Sequence, residues 1–230
     1  PNASVTTSRT APENTVVKLV VTIPGAQIKI EVTPVLRGSV YAAAVQEVSE
    51  EVEDAFGFAE ITVLDFADLY AGKLVAALDR QHPRDLFDAR DLVRMEGIDD
   101  RLRRAFLVYL ISHRRPVAEI LACREKPLQV EFDANFAGMT DEAVTVADLE
   151  ATRIDLVDRL VRQMPEAHRS LLLSVERGTP DWTLLGVAGA ADLPAVKWRL
   201  QNIAALTDAQ RADNASKLQA VFDRAGEGEA

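Results

Sequence analysis

The sequence predicts an α+β protein in two parts, with strands confined to residues 1–98 and an all-helical part over residues 99–230. Apolar and polar residues alternate only in the first third of the chain, and the alternation stops near Thr33; this pattern is typical of half-buried strands. From Asp65 onward, apolar residues recur at helical spacing instead. The boundary near residue 98 separates the two patterns.

The strands of the first part are expected to form a two-stranded hairpin. Residues 15–23 are dense in β-branched side chains, which suit a pleated, packed surface, and residues 28–33 alternate between apolar and polar. Pro24 and Gly25 between them predict a turn. Residues 40–56 leave two alternatives open, because their apolar residues fit a helix at four-residue steps and also tolerate a strand.

Seven amphipathic helices are expected after Asp65. Asp65 suits the N-cap of the first helix, since its carboxylate can accept hydrogen bonds from the first free amides. Pro83 suits the first turn of the second helix, where the missing N–H is not needed. Residues 114–145 are less regular. The expected helices cover residues 66–80, 84–95, 99–113, 146–164, 165–178, 192–206 and 207–224.

Composition excludes several classes of protein and site. With 48% apolar and 27% charged residues, the chain has the composition of a globular protein and not of a disordered one. The single cysteine, Cys123, excludes an internal disulfide and a cysteine zinc site. His82, His113 and His168 lie far apart with no ligand at metal spacing, which argues against a histidine metal centre.

The charge and apolar pattern also restrict partners and location. No apolar run reaches the roughly 18–20 residues that span a bilayer, and the start of the chain has no signal pattern. We therefore expect a cytoplasmic protein with no membrane partner. The net charge of −10, from 26 basic and 36 acidic residues, disfavours non-specific binding to nucleic acid, although a local basic face could still bind it.

The densest charged cluster joins the first two expected helices. Lys73 and Arg80 are seven residues apart and share a helix face, while Arg84 and Asp85 each share a face with Asp88. From spacing alone, a salt-bridged solvent face is the favoured interpretation. The functional alternative is a lysine that contacts phosphate and is positioned by the next helix. Helices joined by only three residues must be neighbours, so we expect Lys73, Asp85 and Asp88 to converge on one concavity.

Glu31 is a second candidate, on the polar face of the expected hairpin. It is either an ordinary polar residue of that face or a rigidly placed carboxylate that joins others in holding magnesium. In the second case it should open onto the same concavity. Other chemistries lack support, since the sequence contains no GxxxxGK[ST] loop, no GxGxxG after a strand and no GxSxG elbow.

These residues resemble the nucleotidyltransferase AbiEii/AbiGii toxin family, whose members are toxins of type IV toxin–antitoxin and phage-defence systems. The resemblance covers nearly the whole chain and is most specific between Lys73 and Asp88. Its motifs are Lys73-x-x-Ala76-Ala77-Leu78-x-Arg80, Arg84-Asp85-Leu86-Phe87-Asp88, Ile28-Lys29-Ile30-Glu31-Val32, Asp181-Trp182-x-Leu184-Leu185 and Leu193-Pro194-Ala195-Val196-Lys197-Trp198-x-Leu200-x-Asn202.

The resemblance implies a nucleotidyltransferase-like core, with a hairpin and helices, followed by a helical C-terminal domain. It implies transfer of a nucleotide from a nucleoside triphosphate, with magnesium, to an RNA (in some members tRNA) or a protein, and a cognate antitoxin as partner. The roles that it implies are catalytic for Lys73, Asp85 and Asp88, phosphate-binding for Arg80 and Arg84, and metal-binding for Glu31.

One departure from the family pattern concerns the start of the chain. The family opens with a Gly-Gly or Gly-Ser loop and then a pair of closely spaced acidic residues, before the hairpin. Ser4, Ser8 and Glu13 do not match these motifs. We expect that upstream residues carry them. The alternative is a catalytically inactive, nucleotidyltransferase-like binding module that acts through a protein partner.

Overall fold

The computed structural model describes residues 3–9, 16–31 and 37–227, and the chain divides into two compact units, Pro1–Arg37 and Gly38–Ala230. Small antiparallel sheets and many helices confirm the α+β class. The expected domain boundary near residue 98 lies inside the second unit, between two helices, and stays a prediction.

The first unit is a three-stranded antiparallel sheet, in the order β1 (Ser4–Arg9), β2 (Val16–Ile23) and β3 (Ala26–Glu31). The expected hairpin is β2–β3, and its turn places Gly25 at φ +85°, a conformation that suits glycine. Thr15 and residues 32–36, where the expected strands begin and end, lie outside the described residues.

The expectation of only two strands is wrong, because β1 pairs with β2 as a third. Its sequence is polar on both faces apart from Val5, so apolar alternation gives no signal for it. The strand forms because its backbone pairs with β2, from Ser4 opposite Thr22 to Arg9 opposite Val16. Pairing with a partner strand is a tertiary property that the local pattern does not contain.

The ambiguous stretch contains both of the structures that its pattern allowed. It forms β4 (Ala44–Glu47) and then α1 (Glu50–Phe56), and β5 (Glu60–Val63) follows and pairs antiparallel with β4. The helix begins after Ser49 and ends at Gly57, which has φ +91°.

The seven expected helices are confirmed, with ends shifted by a few residues. The stretch 114–145 contains two further short helices. The bounds are α2 (Phe66–Asp79), α3 (Pro83–Met95), α4 (Asp100–Ile111), α5 (Val117–Leu121), α6 (Gln129–Asn135), α7 (Val146–Val157) with a π-helical turn over Asp158–Arg162, α8 (Glu166–Glu176), α9 (Pro194–Ala204) and α10 (Asp208–Glu227). Asp65 is the N-cap of α2, as expected, and accepts a hydrogen bond from the Ala67 amide at 2.9 Å.

Helix α2 is central to the second unit, since it packs against α3, α4, α5 and α7. Its apolar face is fully buried, with Ala71, Leu74 and Ala77 at 0% exposure. Within the described residues, no helix combines the length and apolar character needed to cross a membrane.

A buried carboxylate attaches the start of the second unit to α2. Asp68 is 1% exposed and accepts hydrogen bonds from the Val40 amide at 2.7 Å, the Tyr41 amide at 2.8 Å and the Tyr109 hydroxyl at 3.1 Å. These three donors are satisfied by one side chain. Removal of that side chain would leave the partly buried amides of Val40 and Tyr41 without this acceptor, which is costly.

We predict that Asp68→Ala lowers the free energy of unfolding by about 3 kcal/mol, because unsatisfied buried donors cost about 1–3 kcal/mol each. Urea denaturation followed by circular dichroism measures the change. The control is Asp192→Ala, which removes a carboxylate whose side chain is 77% exposed and should change stability by no more than about 0.5 kcal/mol. Equal effects of the two substitutions would contradict the anchoring role of Asp68.

Candidate functional site

The charged residues of the expected cluster come from two helices that meet at a short connection. Helix α2 carries Lys73 and ends at Arg80, and α3 carries the other members. Between Arg80, the C-cap of α2, and Pro83, the first residue of α3, lie only Gln81 and His82. His82 is the N-cap of α3, and its Nδ1 accepts from the Arg84 amide at 3.2 Å.

Two ion pairs join α2 to α3. Lys73 Nζ lies 2.7 Å from Asp88 Oδ2, and Arg80 Nη2 lies 2.7 Å from Asp85 Oδ1. Lys73 and Asp88 are 36% and 40% exposed, whereas the Asp85 side chain is only 15% exposed. The structure therefore brings Lys73 together with Asp88, and Arg80 with Asp85.

A cavity of about 500 Å³ lies beside these pairs. Both aspartates, Asp85 and Asp88, line it, so the concavity that the sequence predicts exists for the two carboxylates. Lys73 does not line this cavity, and its link to it is the ion pair with Asp88. The remaining charged lining residues are Arg80, Arg84, Lys126 and Glu131, and His82 lines the cavity with them.

The cavity offers groups for both an anion and a proton donor. Arg84 is exposed and has no carboxylate partner within the described residues, so its guanidinium is available to phosphate oxygens. Asp85 Oδ2 is buried and has no hydrogen-bond partner there. A bound hydroxyl or amine would meet Asp85 at the part of its side chain that lines the cavity.

Sequence reasoning missed Gln81, which holds the connection between the two helices. It is 3% exposed and has φ +54°, a left-handed conformation that non-glycine residues rarely adopt. Its Nε2 donates to the Arg124 carbonyl at 2.8 Å, and its Oε1 accepts from the Lys126 amide and from Arg153 Nη1, both at 3.2 Å. No local pattern marks such a residue, because its partners are 43, 45 and 72 positions away.

Lys126 was also missed, and it links the same segment to the end of α2. Its ammonium donates to the Asp79 carbonyl at 2.8 Å and to the Arg80 carbonyl at 3.2 Å. A cation at this position satisfies free carbonyls and complements the negative end of the helix. Nearby, burial raises the pKa of the Cys123 thiol to about 11, so this cysteine is protonated at neutral pH and is not a nucleophile.

Glu31 belongs to the first unit, as the last described residue of β3. Its carboxylate lies 3.8 Å from the ammonium groups of Lys18 and Lys29, and its side chain is 63% exposed. The expectation that it opens onto the cavity of the second unit stays a prediction. Within the described residues, no group of three or more histidine, cysteine or acidic side chains is arranged to hold a metal ion. The described residues alone therefore do not fit a magnesium site, because Mg²⁺ requires oxygen ligands in near-octahedral geometry.

A protein-family model described as nucleotidyl transferase AbiEii toxin, Type IV TA system, matches residues 3–202. The matched span covers nearly all of the first unit, the whole α2–α3 cluster and the rest of the second unit as far as α9, and it leaves out α10. It confirms the resemblance that the sequence motifs indicate. Among curated proteins and among solved structures, the comparisons found no match.

We predict that Gln81→Ala lowers the free energy of unfolding by about 3 kcal/mol, since it leaves buried donors of Arg153 and Lys126 without their acceptor. Gln81→Gly should lower the free energy of unfolding by about 1 kcal/mol less than Gln81→Ala does, because glycine adopts positive φ without steric cost. Urea denaturation of both variants measures the difference. A glycine variant no more stable than the alanine variant would argue against strain at this position.

Proposed function

Because this chain belongs to the nucleotidyl transferase AbiEii toxin family of type IV toxin–antitoxin systems, we propose that it is the toxin of such a system. We propose further that it transfers a nucleotide from a nucleoside triphosphate to an RNA or protein acceptor, with tRNA among the candidates. The observation that carries this proposal is the cavity beside α2 and α3, where three carboxylates and several cations face one space.

The triphosphate is expected to bind the basic side of this cavity. Arg84 has no carboxylate partner within the described part of the chain and is free to contact phosphate. Arg80 and Lys73 are held by Asp85 and Asp88 before any substrate arrives. Phosphoryl transfer depends on cations that are already positioned where negative charge develops, so this preorganisation supports the assignment.

The carboxylates are assigned to the acceptor side of the reaction. In this proposal Asp85, which lines the cavity, accepts the proton of the attacking hydroxyl as that oxygen bonds to the α-phosphorus and pyrophosphate leaves. Asp88, which lines the cavity, holds the Lys73 ammonium at 2.7 Å. Each residue therefore has a role that its contacts support.

Magnesium stays part of the proposal on the strength of the resemblance, with Glu31 as a ligand. It would supply charge neutralisation for the triphosphate. The described residues do not by themselves form its site. The proposal also includes an antitoxin partner, a role in phage defence and a cytoplasmic location.

We predict that Lys73→Ala reduces nucleotide transfer by on the order of 10²–10³, since one preorganised charge at a transition state contributes that much. Stability should fall by no more than about 1 kcal/mol, because the Lys73–Asp88 pair is partly exposed. The assay is labelled nucleotide transfer from each of the four triphosphates, with and without magnesium, by protein expressed from the complete reading frame.

The matched control is Lys197→Ala, which breaks a similar exposed pair with Asp192 at 3.0 Å, away from the cavity. It should transfer nucleotide at the native rate. Undiminished transfer by a folded Lys73→Ala protein would remove Lys73 from the mechanism. Triphosphate binding with no transfer by the native protein would favour the inactive binding module.

A further inference from the structure

A second cavity, which we call the α10 groove, adjoins the candidate site within the second unit. It has a volume of about 590 Å³ and lies between the end of α2, α5 and the last turns of α10. Gln81 and Lys126 line both this groove and the cavity described above. The α2–α3 connection therefore separates two neighbouring spaces.

The groove is basic in a chain whose net charge is −10. Its lining contains two carboxylates, and Arg115 forms ion pairs with both of them. Lys217 pairs with Asp213 at 2.6 Å. The five cations of the lining are Arg115, Arg124, Lys126, Lys217 and Arg224.

Three of these cations have no carboxylate partner in the described part of the chain. Arg124 and Arg224 are exposed, and Lys126 donates only to the backbone carbonyls of Asp79 and Arg80. Most other cations of the second unit are paired with acids, although acids outnumber bases in the chain. With Arg84 in the adjoining cavity, four unpaired cations thus line two neighbouring spaces.

Such a concentration of positive charge has an electrostatic consequence. Like charges repel when they are held together, and a concave surface focuses their field on an incoming anion. Two guanidinium groups can each bind two phosphate oxygens in a planar, bidentate geometry. Repeated phosphates are therefore the ligand chemistry that fits this lining best.

We propose that the α10 groove binds phosphate groups of a ligand, with Arg124 and Arg224 as the main contacts and Lys126 adjoining the candidate site. The proposal concerns binding alone and does not require nucleotide transfer. Lys217 and Arg224 lie on α10, beyond residue 202, where the family match ends. Two sources have this chemistry, a nucleic-acid strand and a free polyphosphate.

The test compares Arg124→Gln/Arg224→Gln with a control that removes two exposed cations elsewhere, Arg177→Gln/Lys197→Gln. The control residue Arg177 follows α8 and precedes Gly178, which lies beside Arg211 of α10. Arg211 precedes the groove residue Arg224 by 13 residues on that helix. That separation is about 20 Å along the helix. The probes are a fluorescein-labelled 12-nucleotide single-stranded RNA, followed by anisotropy, and inorganic triphosphate, followed by calorimetry.

Each phosphate contact contributes about 0.7 to the slope of log affinity against log salt for a single strand, so the groove variant should lose about 1.4 from the slope. Between about 50 and 200 mM salt, RNA binding by the native protein should then weaken about 7-fold more than binding by the groove variant. The control should keep the native slope. Loss of RNA binding alone identifies a nucleic-acid strand, and equal loss of triphosphate binding identifies a free polyphosphate.

Triphosphate bound in the candidate cavity is distinguished from triphosphate bound in the α10 groove by a third variant. Arg84→Gln should weaken triphosphate binding in the cavity, whereas the groove variant should not. Native protein that binds neither probe, or a control whose slope falls as much as that of the groove variant, would overturn the proposal. If the double variant does not fold in a thermal melt, Arg124→Gln alone should lower the slope by about 0.7, and an unchanged slope would equally overturn it. Failure here leaves the transfer reaction untouched, since no transfer is measured.

Discussion

The buried amide of Gln81 is the constraint on which the candidate site depends. Helices α2 and α3 meet in a turn that contains a left-handed residue, and this conformation costs free energy unless other contacts hold it. The Gln81 side chain supplies those contacts, to the backbone of the 124–126 segment and to Arg153 of α7. The angle between the two helices, and with it every charged pair that crosses them, follows from this one connection.

The ion pairs across α2 and α3 are better explained by positioning than by stability. Ion pairs with this exposure contribute about 0–1 kcal/mol to the free energy of unfolding. A buried network of hydrogen bonds contributes more. A salt-bridged face and a binding site also share the same contacts, so the pairs alone do not separate the two interpretations. The cavity, the unpaired Arg84 and the buried free oxygen of Asp85 favour the site.

Charge is distributed unevenly over the surface of the second unit. The chain is acidic overall, which keeps anions away from most of its surface. Around the α2–α3 connection, unpaired cations collect instead, and they come from α3, from the 124–126 segment and from α10. A local basic region in an acidic protein concentrates anionic ligands at one place, which suits a protein of a nucleotidyl transferase family.

The sequence by itself determined the features that depend on neighbours along the chain. Helical periodicity, the Asp65 cap and the Pro83 start placed α2 and α3 within a few residues, and their short connection predicted that Lys73 and Asp88 would be close. Only the tertiary structure decided the features that join distant segments. Strand β1 depends on pairing with β2. The contacts of Gln81 with the 124–126 segment, and the basic lining that α10 supplies, join residues 40–140 positions apart. Hydrogen bonds and fields between such residues leave no period in the sequence, because they depend on proximity in space alone.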